Sequence, residues 1–155
     1  MKKMLGLGAV MATLTIVGAV STLANEPAPT SVEQLVSARQ GGMVMSVFTL
    51  GRLSAAANSD KPLSESAFPA RGLANFARSL PALFASETQA VENTHALASV
   101  WEKPAEFSAA ITEYQAATGD LQTAIADNNL DAYSAALART KAACKACHDS
   151  FRLEP

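Results

Sequence analysis

Near the end of the chain, two cysteines and a histidine fall in the run Cys144-Lys145-Ala146-Cys147-His148. These are the only cysteines, and His95 is the one other histidine. The spacing is the C-x-x-C-H pattern of covalent haem attachment. On a helix, residues three and four apart share a face. Cys144 and Cys147 can then each add to a haem vinyl group, and the His148 imidazole can turn to the iron as proximal ligand. The chemistry implied is one haem c, fixed by a single short segment.

Other readings of the same residues are weaker on physical grounds. A redox C-x-x-C normally sits in a βαβ context, which this chain lacks. A zinc site needs a fourth ligand, for which His95, a carboxylate or water would have to serve. A disulfide between cysteines three apart on a helix would be strained and would close almost no loop. A haem-free structural or binding bundle is the alternative of a different class, because amphipathic helices alone would build it.

The elements that must position this motif are helical. The chain has 155 residues, 49% hydrophobic and 17% charged, which suits one globular domain. Residues 1–24 read as a signal peptide: Met1-Lys2-Lys3 is a basic start, an apolar run extends from Met4 to about Val20, and Thr22-Leu23-Ala24 resembles a small-x-small cleavage site. The run is short and Gly/Ala-rich for a permanent anchor, which is the competing reading. Export with cleavage near Ala24 leaves residues 25–155 as a haem-binding domain in the periplasm. Without Lys2 and Lys3 the charge balance falls from 12 basic and 14 acidic side chains to 10 and 14, a mildly acidic surface that does not suit nucleic acid.

After a tether carrying Pro27 and Pro29, Ser31 with Gln34 offers a capping-box start. A first helix is expected over 31–57, with Val36, Met43, Val47 and Leu50 on its apolar stripe, and a turn over 58–62. A second opens near Ser64 and carries Leu73, Phe76, Leu80 and Phe84, with Pro81 ending or kinking it. Residues 85–103 lack a clean period and read as a long connection. Pro104 suits a first helical turn, and Phe107, Ile111, Tyr114, Thr118, Leu121 and Ile125 then alternate at steps of four and three, ending near Asp127. Asn128-Asn129 makes a turn. Leu130, Tyr133, Leu137, Thr140, Cys144, Cys147/His148 and Phe151 continue the alternation in a last helix, which puts the motif on its buried stripe. No strand or hairpin signal appears, so the expected fold is all-α, an antiparallel four-helix bundle.

With the motif in the last helix of such a chain, the sequence from about 31 to 153 resembles the cytochrome c′ family. The resemblance is carried by Cys144-Lys145-Ala146-Cys147-His148-Asp149-Ser150-Phe151-Arg152 and by Arg39-Gln40-Gly41-Gly42-Met43. It implies thioethers at Cys144 and Cys147, His148 as proximal iron ligand, Arg39 near a haem propionate, and Met43 on the distal face. Arg152 would lie beside the proximal face, within reach of a ligand such as nitric oxide. Trp101 resembles the family's tryptophan before the third helix. The resemblance also implies a homodimer through the first two helices.

Met43 divides two functions. If it only packs over the iron, a five-coordinate haem binds small gases such as NO and CO or passes single electrons. If its thioether is the sixth ligand, the protein is a low-spin electron carrier serving a redox partner that the sequence does not specify. Arg39 and Arg152 together match the gas-binding members. No nucleophile, paired carboxylates or phosphate loop points to an enzyme.

Overall fold

The computed structural model describes residues 30–92 and 94–154. The expected signal peptide and the start of the tether lie outside the described residues. Four long helices follow: α1 (Val32–Ala56), α2 (Ala67–Leu83), then, after a single helical turn α3 (Ser99–Glu102), α4 (Pro104–Ala126) and α5 (Leu130–Phe151). Among the described residues there is no strand, and no helix is long and apolar enough to cross a membrane.

Each boundary has a local cause. The Ser31 Oγ accepts from the Gln34 N–H at 3.3 Å while the Ser31 N–H donates to Gln34 Oε1 at 2.8 Å, closing the capping box at α1. Before α2 the chain makes a 3₁₀ turn over Leu63–Ser66, so the helix proper starts at Ala67, three residues after Ser64. Pro81 neither stops α2 at once nor leaves its carbonyl partner unsatisfied. It cannot donate to the Ala77 carbonyl one turn back, and Gln115 of α4 donates there instead at 3.1 Å. The helix therefore runs on to Leu83. Between α4 and α5, Asn128 takes a left-handed backbone (φ 50°), and the Asn129 Oδ1 caps α5 by accepting from the Ala132 N–H.

The seam of α4 is buried from Phe107 to Ile125 as its spacing requires. In α5, Tyr133, Leu137, Thr140 and Phe151 are buried, whereas Leu130 at the first turn is exposed because the end of the bundle leaves it no neighbour to pack against. On α1 the expected stripe is corrected. Val47 is 70% exposed, and the residues facing inward are Val36, Arg39, Met43, Ser46, Leu50 and Leu53. They alternate at three and four like the other seams, but two of the six positions are polar, which hides the period from a hydrophobicity reading.

Packing between the helices is uneven. The α4–α5 hairpin is the most extensive pair, α2 lies against α4 and α1, and α1 leans chiefly on α2 and only lightly on α5. Leu53, Leu121 and Tyr133 are fully buried at the closed end, where the Tyr133 hydroxyl donates to the Leu53 carbonyl at 2.8 Å. At the other end, the slack between α1 and α5 opens into space.

The described residues of the long connection, 85–92 and 94–103, carry local structure of their own. They include a 3₁₀ turn over Ser86–Ala90 and α3, and they meet the C-terminal tail in an antiparallel bridge between Ala96 and Arg152. The Leu97 N–H donates to the Phe151 carbonyl at 3.0 Å and the Leu153 N–H to the His95 carbonyl at 2.8 Å. Trp101 Nε1 donates to the Phe84 carbonyl at 3.2 Å, which fastens the end of α2 to the same segment.

Candidate functional site

Two cavities lie between α1 and α5. The outer one, of about 470 Å³, is mostly apolar and is walled by the aromatic rings Phe84, Phe107 and Phe151, with Arg39, His95 and Arg152 at its polar margin. The inner one, of about 100 Å³, reaches deeper to Leu50, Leu80 and Tyr114. Met43, Val47, Cys147 and His148 border both, and Cys144 borders the inner one. Of the six residues singled out from the sequence, five therefore line the outer cavity and Cys144 joins them from within.

The motif sits on the last turns of α5, and its three side chains are half-buried. The two thiols form no disulfide with each other. Burial raises the pKa of both, and the Cys147 thiol is pushed up to about 11. They are thus neutral S–H groups facing a mostly apolar space, not the thiolates that exchange chemistry needs. Burial also lowers the His148 pKa, and the nearby Arg152 cation lowers it further against the opposing pull of Asp149. A neutral imidazole is the form that binds a metal. Among the described residues, no group of three or more His, Cys, Asp or Glu side chains is arranged to hold a metal ion by itself.

Arg39 is the least expected member of the set. Only 3% of it is exposed, and its guanidinium donates to the Leu83 carbonyl (3.1 Å), to Thr88 Oγ1 (3.4 Å) and to Thr94 Oγ1 (2.8 Å). It also lies 4.3 Å from the Phe84 ring centroid, a cation–π contact. Burial lowers its pKa without neutralising it. Among the described residues no carboxylate is paired with it. A buried cation of this kind is costly without an anion nearby, and the outer cavity it borders is where a carboxylate-bearing ligand could supply one.

Phe84 and Phe107 pack edge-to-face at 4.8 Å, and Phe107 and Phe151 at 5.1 Å. They give the outer cavity a rigid aromatic wall of the kind that suits a flat, apolar macrocycle. The residues present thus fit a haem: two neutral thiols one turn apart, an imidazole beside them, an aromatic wall, and a buried cation at the margin. Sequence reading did not assign Thr88, Thr94 or His95 to the site. Nothing local in the sequence marks the two threonines, which gain their role from Arg39 across the fold. His95 is exposed and borders the outer cavity because its carbonyl is tied to the tail.

Comparison with known proteins agrees with this geometry. The family described as Cytochrome C' matches residues 34–152. Among curated proteins, cytochrome c′ of Pararhodospirillum photometricum is 36% identical over 124 residues, covering 79% of this chain and 98% of that protein. The crystal structure of cytochrome c′ from Rubrivivax gelatinosus superposes with a TM-score of 0.72 at 25% identity, covering 78% of this chain and 96% of that one. A nitric oxide complex of an L16I mutant of cytochrome c prime from Alcaligenes xylosoxidans has the same fold, with a TM-score of 0.72 at 24% identity over 80% of this chain and 98% of that one.

Proposed function

The chain belongs to the cytochrome c′ family of haem c-type cytochromes, and from that premise we propose that it is a periplasmic mono-haem protein whose five-coordinate iron binds small gases such as NO and CO or passes single electrons. The observation that carries this reading is the pair of cavities meeting at Met43, Val47, Cys147 and His148. The macrocycle would lie in the outer cavity with one edge reaching into the inner one, which Cys144 borders, and the inner would leave space next to Met43 for a molecule of a few atoms. Haem, when bound, supplies an iron that takes a diatomic ligand or one electron.

The chain's own residues divide the work. Cys144 and Cys147 would hold the haem through thioethers, and His148 would offer its imidazole nitrogen to the iron. Arg39 balances a propionate from the margin of the outer cavity, and this pairing offsets the cost of burying its charge. Arg152, whose backbone caps α5 by donating to the His148 carbonyl at 3.1 Å, keeps a cation beside the imidazole. Met43, with Val47 and Leu50, would face the haem from α1 and keep water and larger ligands away. No residue of the set forms a nucleophile–base pair, so the reading is of a carrier and gas binder rather than an enzyme. That a nitric oxide complex exists for a cytochrome c prime of the same fold supports the choice of ligand.

A second reading rests on the same residue. Met43 and His148 border both cavities from opposite helices, α1 and α5, which also suits a six-coordinate, low-spin electron carrier with Met43 as the sixth ligand. The visible spectrum of the reduced holoprotein with and without CO separates the two. High-spin bands that shift on adding CO are expected, and Met43→Ala is expected to leave the spin state unchanged while speeding CO binding about tenfold, equivalent to about 1.4 kcal/mol off the entry barrier. A sharp low-spin band that ignores CO, turned high-spin by Met43→Ala, would overturn the gas-binding reading.

A homodimer through α1 and α2 completes the proposal. Met45 (62% exposed) and Phe48 (66%) sit one turn apart on α1 and border neither cavity, and Phe68 near the start of α2 is exposed as well. Such an apolar face on a small protein marks an association surface.

A further inference from the structure

The inner cavity holds one polar group that the fold leaves unmatched. Tyr114 is 7% exposed, and its hydroxyl has no hydrogen-bond partner among the described residues. The other tyrosine shows what a satisfied one looks like here: Tyr133 is fully buried and donates to the Leu53 carbonyl. An unpaired buried hydroxyl costs on the order of 1–3 kcal/mol, which a phenylalanine in the same place would avoid.

The surroundings narrow what the partner can be. Tyr114 borders the inner cavity together with Met43, Ser46, Leu50, Cys144 and His148. Ser46 is the neighbouring polar side chain; its hydroxyl donates to the Gly42 carbonyl within α1 at 2.8 Å, and its oxygen, although free to accept, is not placed to form a hydrogen bond with the Tyr114 hydroxyl. Burial pushes the Tyr114 phenol well above its usual range, so the group stays an uncharged donor at working pH. A cavity of about 100 Å³ holds a few small molecules, since each water in the liquid occupies roughly 30 Å³. What is missing is an acceptor of a few atoms, bound beside Met43 and across from the helix that carries the haem-attachment motif.

We infer that Tyr114 is a hydrogen-bond donor to the diatomic ligand held in the inner cavity, a polar contact within an otherwise apolar ligand site. This rests on the gas-binding reading given above. The O–H would favour ligands that gather negative charge on their outer atom when bound, and it would slow their escape.

The test is the infrared C–O stretch of the reduced holoprotein with carbon monoxide bound, recorded in H₂O and in D₂O. For the unmodified protein the expected band moves on deuteration. Tyr114→Phe, which keeps the ring in the core, is expected to shift the band to higher frequency, to remove its deuterium sensitivity, and to speed CO release about five- to tenfold, the weight of one hydrogen bond. Ser46→Ala is expected to keep the deuterium-sensitive band. A stretch that ignores deuterium in the unmodified protein, or a band unmoved by Tyr114→Phe, overturns the inference while gas binding stands. Loss of the deuterium shift in Ser46→Ala with Tyr114→Phe unchanged makes Ser46 the donor and overturns it too. A holoprotein that binds no CO at all removes the gas-binding reading itself, and the inference with it.

Discussion

The two helices that face each other across the cavities are built on different terms. In α5 everything chemical is contiguous: Cys144, Cys147 and His148 occupy a little over one turn, and the helix that carries them packs most extensively against α4. On the surface of that pair Arg139 makes a two-pronged contact with Glu113 at 2.7 and 2.8 Å and another with Asp120. In α1 the contributions are dispersed, Arg39, Met43 and Ser46 being spread along the helix, and Arg39 is held by residues 44 to 55 positions away. The difference separates two tasks. On the proposed function, attaching the cofactor would need a fixed local geometry that one rigid helix supplies, whereas choosing a ligand would need an opposing wall whose composition can vary without disturbing the attachment.

Breaking the α5 wall has the largest expected effect. Cys144→Ala with Cys147→Ala is expected to abolish covalent haem, so that intact-mass analysis of the exported protein shows the bare polypeptide where the unmodified one carries a haem. The same measurement reads the amino terminus, and a mass that retains residues 1–24 would contradict cleavage near Ala24.

The outer face of α1 comes next. Phe48→Asp places a charge in the apolar face and is expected to turn a dimer into a monomer by light scattering at micromolar concentration, with the haem spectrum intact. A chain already monomeric before the change would count against pairing through this face.

The smallest effect sharpens the comparison within α1 itself. A Cβ on Gly42 would stand 2.0 Å from the Phe76 ring of α2, whereas one on Gly41 meets nothing within 4 Å. Gly42→Ala is expected to cost about 1–3 kcal/mol by forcing the helices apart. Gly41→Ala is expected to stabilise by about 0.4–1 kcal/mol through reduced freedom of the unfolded chain. Thermal or urea unfolding of the two variants measures both, and equal effects would show that α1 does not approach α2 as closely as the structure has it.

How much could be read beforehand follows the same division. The α4 and α5 seams were legible from Phe107 to Phe151, because nearly every inward position is apolar or a small threonine, and the attachment motif announces itself by spacing alone. The α1 seam was only half legible. Arg39 holds its inward position through partners outside the helix and Ser46 through a bond back to the Gly42 carbonyl of α1 itself, so hydrophobic periodicity assigned Val47 to the core when it is exposed. The order within 85–92 and 94–103 was illegible, since it comes from contacts more than fifty residues away: the Ala96–Arg152 backbone bridge and the Ser99 hydroxyl donating to the Ser150 carbonyl of α5. Tyr114 was correctly placed on a buried seam, but that its hydroxyl lacks a partner depends on how α1 and α4 set it against Ser46. No local pattern encodes that.

The left-handed turn at Asn128 bears on the time order in which the molecule comes together. It folds the last two helices back on each other so that contacts such as Arg139–Glu113 close a loop of 26 residues, while Leu53 must find Tyr133 across 80. By loop-closure entropy alone the longer search costs about 1 kcal/mol more, and contacts near in sequence form sooner. By that measure alone the helix bearing the cysteines is expected to reach its place on α4 before α1 closes over α5. In that order both thiols would stand open on one side to whatever machinery delivers the cofactor, and the wall proposed to select the ligand would be the last to be raised.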